Sequence, residues 1–101
     1  MIFDWDENKE RANFKKHDGI NFNEASEVFF DDDAFDELDE EYSTAEETRF
    51  ICVGNSSKKF LRVSYTIRFD ENGNEIIRII SARKGKKKEE NLYYGQEQWK
   101  F

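Results

Sequence analysis

The clearest pattern in the chain is the alternation over residues 60–69. Leu61, Val63, Tyr65, Ile67 and Phe69 fall on one face, and Arg62, Ser64, Thr66 and Arg68 on the other. This is the period of a strand with one buried side. Arg49 to Gly54 reads as the strand before it, with Asn55-Ser56-Ser57-Lys58 as the turn between. Asp70-Glu71-Asn72-Gly73 is a hairpin signal, and Asn74 to Arg83 returns as a third strand that runs into the basic segment Lys84 to Lys88. Side chains alternate strictly, so the hairpin loop decides which arginines meet. An even loop places Arg62, Arg68 and Arg83 on one face, and an odd loop sends Arg83 to the other.

Upstream the period changes to that of helices. Asp6 is placed to cap a helix that runs to about Lys16, and Lys16-His17-Asp18-Gly19 is its stop, with Gly19 suited to a left-handed C′ position. Within it Lys9, Asn13, Lys16 and His17 share a face. Solvation explains that polar wall, and so does a place beside a phosphate site. Asn21, with Glu24 three residues on, opens a second helix whose Phe22, Ala25, Val28 and Phe29 form a core-facing stripe. Lys86 to Tyr94 reads as a C-terminal amphipathic helix anchored by Leu92 and by Tyr93 or Tyr94, while the pattern over 95–101, Trp99 included, predicts nothing. The fold class expected is α+β: two N-terminal helices, a small antiparallel sheet of three to four strands, and a C-terminal helix, in one domain over residues 1–101.

Composition adds that a core exists. Charged residues make up 39% of the 101, yet 16% are aromatic, ten of them phenylalanine, more than disordered chains carry. The lone Cys52 has no internal disulfide partner and reads as a small buried hydrophobe. A charged start and the lack of a long apolar run predict a cytoplasmic chain with no signal peptide and no membrane partner.

The net charge of -7 conceals a division. Residues 1–48 hold 17 acidic and 4 basic side chains, and residues 49–101 hold 6 and 12. A basic face can therefore coexist with an acidic flank. The run from Asp31 to Glu41 has no glycine for a calcium loop, and it reads as a mobile acidic loop able to dock a basic partner. No metal and no cofactor are expected.

Arginine forks on a strand face suit phosphate, since each can grip two oxygens. RNA is the natural ligand class, because its 2′-hydroxyl is a built-in nucleophile and an enzyme need only align it, move protons and stabilise charge. The chemistry of the residues alone reaches a phosphate binder and goes no further.

A longer pattern reaches further. It consists of Phe3-x-Trp5-Asp6-x-x-Lys9, Asn13, Lys16-His17, Ile20-x-Phe22-x-Glu24-Ala25, Glu47-x-Arg49, Gly54, Val63-x-Tyr65-Thr66-x-Arg68, Arg78-Ile79-Ile80-Ser81-Ala82-Arg83, Glu89 and Tyr93. In order and spacing it resembles the BrnT toxins of bacterial type II toxin-antitoxin systems. The chain departs from that family at Gly85, where alanine is usual, at Tyr42, where histidine is common, and in an acidic loop without proline.

The resemblance implies a RelE-like α+β fold and a metal-independent endoribonuclease that arrests growth. It also implies neutralisation by a BrnA-like ribbon-helix-helix antitoxin, with operator DNA bound only through the complex. By position it implies Arg68 and Arg83 as catalytic groups, with His17 and Glu47 as candidates for proton transfer. Trp5, Lys9, Lys16, Arg62 and Lys84 would then contact RNA. The alternative is a non-catalytic RNA- or protein-binding module.

Overall fold

A computed structural model describes residues 1–98 and assigns eight regular elements and one 3-10 turn among them. In chain order these are β1 (Ile2–Trp5), α1 (Glu7–Lys16), α2 (Phe22–Glu27), the 3-10 turn Val28–Phe30, β2 (Phe35–Leu38), β3 (Arg49–Asn55), β4 (Phe60–Phe69), β5 (Glu75–Lys84) and α3 (Lys87–Gln98). Trp99 and the two residues after it lie outside the described residues.

The helix signals act as the sequence predicts. Asp6 accepts from the amides of Asn8 and Lys9 at 2.8 and 3.1 Å, capping α1. At the other end Gly19 takes φ 73° and returns its amide to the Phe14 carbonyl at 3.0 Å, the left-handed stop. Asn21 caps α2 through the Glu24 amide at 2.8 Å. The α2 stripe is buried: Phe22, Ala25 and Val28 are fully covered, each large side chain contributing about 1.5–3 kcal/mol.

The sheet is larger than the sequence predicts and is not purely antiparallel. It has five strands in the order β1-β5-β4-β3-β2, and β1 runs parallel to β5. Three to four strands were expected because β1 and β2 are only four residues each, too short to show a period. Strand β2 also lies inside the acidic run. That run is tied down: Phe35–Leu38 pairs with β3, and Asp31 accepts from the Asn55 amide at 2.7 Å and the Tyr93 hydroxyl at 2.8 Å. The expectation of a mobile loop is corrected by these bonds.

The core lies between one sheet face and α1, α2 and the 3-10 turn. Leu61, Val63, Tyr65, Cys52, Ile77, Ile79 and Ala82 meet Ile20, Phe22, Ala25 and Val28 there. Close packing at Gly54 needs glycine, since a Cβ would lie 2.8 Å from the Ala34 Cβ and 3.1 Å from Val28. Cys52 is buried as expected. Burial first, and the nearby Asp36 carboxylate second, push its thiol well above the usual range, so it stays protonated and unreactive.

Candidate functional site: an arginine face opposite the core

The hairpin loop between the paired residues Phe69 and Glu75 spans five residues, an odd number. Parity alone would send Arg83 into the core. A bulge prevents this: Ser64 pairs with Ser81 but Tyr65 pairs with Ile79, so Ile80 is an extra residue on β5. Beyond it the register returns Arg83 to the position directly opposite Arg62. Thr66 is paired on one side with Arg78 and on the other with Arg49. Arg49, Arg62, Arg68, Arg78 and Arg83 therefore all stand on the sheet face away from the core.

Carboxylates fix these guanidinium groups. Arg83 grips Glu89 at both oxygens, at 3.0 and 2.9 Å, and the Arg62 Nε approaches the same carboxylate at 3.4 Å. Glu89 also accepts from the Lys86 amide at 2.7 Å, which caps the start of α3. Partial burial opposes ionisation of Glu89, but the Arg83 hydrogen bonds, the amide and the Arg62 charge together hold its carboxyl below the usual range. Across the face Glu47 receives the Arg49 Nε at 2.9 Å and an Arg68 Nη at 3.6 Å. Its pKa is lowered too, chiefly by the Arg49 hydrogen bond. Each glutamate is shared by two arginines, so each group of three keeps one uncompensated positive charge, which draws anions.

Between the two groups lies a small polar cleft lined by Asp39, Tyr42, Arg49, Arg62, Ser64 and Ser81. Ser81 also borders a shallow groove with Lys9, Ala12, Asn13, Lys16, His17 and Ile80. Through Ser81 the arginine face is thus continuous with the polar side of α1.

Seven of the nine sequence-derived candidates fall into two sets. Arg68, Arg83, Arg62 and Glu47 are gathered on the arginine face, and Lys9, Lys16 and His17 on the adjoining groove. Lys84 ends β5, its ammonium 3.6 Å from Asp18. Trp5 stands apart: its ring meets Phe22 edge-on at 6.0 Å and packs on the core, so the structure gives it a packing role. Asn13, read as part of the polar wall, is buried. It accepts from the Ala82 amide at 2.9 Å and donates to the Ala82 carbonyl at 2.9 Å, acting as the strand partner β5 lacks beyond the end of β1.

Sequence reading did not single out Arg49, Glu89, Ser64, Ser81, Tyr42 or Asp39 as site residues. Arg49, Ser81 and Glu89 stood in the family pattern and Ser64 on the arginine strand face without being given a role, Tyr42 stood out only as a departure from that pattern, and Asp39 carried no such signal.

Among the described residues no three His, Cys, Asp or Glu side chains are placed to hold a metal ion, and no helix is long and apolar enough to cross a membrane. A family model described as "Ribonuclease toxin, BrnT, of type II toxin-antitoxin system" matches residues 5–89. No curated protein is a significant match.

Proposed function

The chain belongs to the BrnT family of ribonuclease toxins from type II toxin-antitoxin systems, and on that basis we propose that it cleaves RNA on the arginine face without a metal. The observation that carries this reading is the gathering of Arg49, Arg62, Arg68 and Arg83 on one sheet face, with a polar cleft lined by Arg49 and Arg62. Guanidinium groups held in advance by Glu47 and Glu89 meet a phosphate with little reorganisation, the condition under which charge stabilisation is strongest.

In the proposed reaction the ribose O2′ bonds to phosphorus as the P–O5′ bond breaks. The proton of O2′ passes to a base and a proton reaches O5′, leaving a 2′,3′-cyclic phosphate and a 5′-hydroxyl. Arg68 and Arg83 stabilise the charge that builds on the phosphoryl oxygens. Lys9, Lys16, Arg62 and Lys84 hold neighbouring phosphates. His17, across Ser81 from the cleft, and Glu47, inside the arginine cluster, are the proton-transfer candidates. Glu47 is the weaker base, since its arginine partners favour the ionised form.

The same reading gives the chain a RelE-like fold relationship, a cytoplasmic site of action and a BrnA-like ribbon-helix-helix antitoxin, through which operator DNA is bound. The test is expression in bacteria. Growth arrest by the wild type, relieved by a co-expressed BrnA-like antitoxin and absent with Arg83→Ala, is the expected outcome. Normal growth with soluble, folded wild type would favour a non-catalytic binding module.

A further inference from the structure

We propose that the cleft over Ser64 and Ser81 seats one phosphodiester of the RNA strand, with Arg49 and Arg62 as its two guanidinium ligands. This rests on the ribonuclease reading and narrows it to one position on the arginine face.

Ser64 and Ser81 are direct partners across β4 and β5, and Ile51 is the partner of Ser64 on the other side. Two small residues opposite each other leave a depression in a surface otherwise built of long side chains. Arg62 stands two residues before Ser64, and Arg49 stands beside Thr66, two residues after it. Rows of same-face residues are about 6.6 Å apart along a strand, so the two arginines flank the serine row at a separation that a phosphate between them can bridge.

The way each arginine is held matters as much as its place. Glu47 contacts Arg49 at Nε, and Glu89 contacts Arg62 at Nε. The terminal amino groups of both are left for the cleft that both residues line. Arg83 differs, because both of its terminal nitrogens are on Glu89. Arg68 differs as well: it uses a terminal nitrogen on Glu47 and lies one row beyond the cleft.

The serine hydroxyls add two donors to the floor. Tyr42, exposed at the rim, offers a ring on which the base next to the bound phosphate can stack. Asp39 also lines the cleft and opposes an anion there. Its Oδ1 is turned to the Tyr42 amide at 3.3 Å, and with Glu47 and Glu89 counted as well, Arg49, Arg62, Arg68 and Arg83 still leave one net positive charge around it.

Amide chemical shifts followed during titration with a 2′-O-methylated RNA hexamer, which cannot be cleaved, test the seat apart from catalysis. The proposal expects the largest shifts at Arg49, Tyr42, Ser64 and Ser81, at hexamer concentrations below those of inorganic phosphate that shift the same amides. Ser64→Leu, which fills the floor, should abolish them while leaving the remaining spectrum folded. Shifts mapping to other residues, or surviving in folded Ser64→Leu, would overturn the seat whether or not the wild type cuts RNA. Wild type that shows the expected shifts yet cuts no RNA would leave the seat standing and remove the ribonuclease reading. Where cleavage is seen, Arg49→Lys should raise KM about tenfold or more with kcat within a few-fold, since the seated phosphate neighbours the one being cut; an unchanged KM would also overturn the assignment.

Discussion

Arg62 and Arg83 face each other across β4 and β5 and close on the same carboxylate, that of Glu89, at 3.4 and 2.9 Å. One side chain from the start of α3 therefore sets the positions of two cations on the sheet and caps its own helix. Losing it removes a tie shared by β4, β5 and α3.

Glu89→Gln should destabilise the protein by about 1–3 kcal/mol at pH 7, from lost charge-assisted hydrogen bonds to a partly buried group. The native carboxyl is held below its ordinary value of 4.5, so its contribution is complete above that pH and fades as pH falls through the native pKa. Urea unfolding of both proteins at pH 7, 4.5 and 3 should show the gap narrowing only below about 4.5. A gap that stays constant across the range would contradict the ionic role.

Asn13→Ala should cost roughly 2–4 kcal/mol, because it strands a buried amide and a buried carbonyl of Ala82 together. Thermal or urea unfolding measures it directly. A loss under 1 kcal/mol would mean that water replaces the amide side chain.

Gly85→Ala tests the junction between β5 and α3. A Cβ there would fall 2.2 Å from the Phe60 ring, and that ring packs on Tyr93 and Tyr94 at 5.2 and 6.3 Å. The ring must move and disturb α3, at about 1–3 kcal/mol. Lowered stability with a changed near-ultraviolet circular dichroism signal is the expected result, and an unchanged spectrum would contradict this packing.

What the sequence revealed follows from how local each signal is. Asp6, Gly19 and Asn21 set helix ends through bonds within a few residues, and β4 shows five alternating pairs, so these elements were readable. Strands β1 and β2 exist only through partners far along the chain. The face of Arg83 was undecided for a sharper reason: loop parity gives the wrong face for this five-residue loop, and the bulge at Ile80 restores it. No residue type announces that bulge. Asn13 was misplaced because helical spacing shows which residues share a face but not what that face meets.

RNA cleavage on the arginine face would depend on Arg68 and Arg83 to stabilise the developing charge. Cleavage of a defined RNA in excess EDTA by wild type, Arg68→Ala and Arg83→Ala, each shown to be folded by circular dichroism, tests it most directly. Metal-free cleavage by the wild type and a loss of about 100-fold or more in each folded variant are the expected results. Folded wild type that leaves the RNA intact, or variants that cut as fast as wild type, would contradict it.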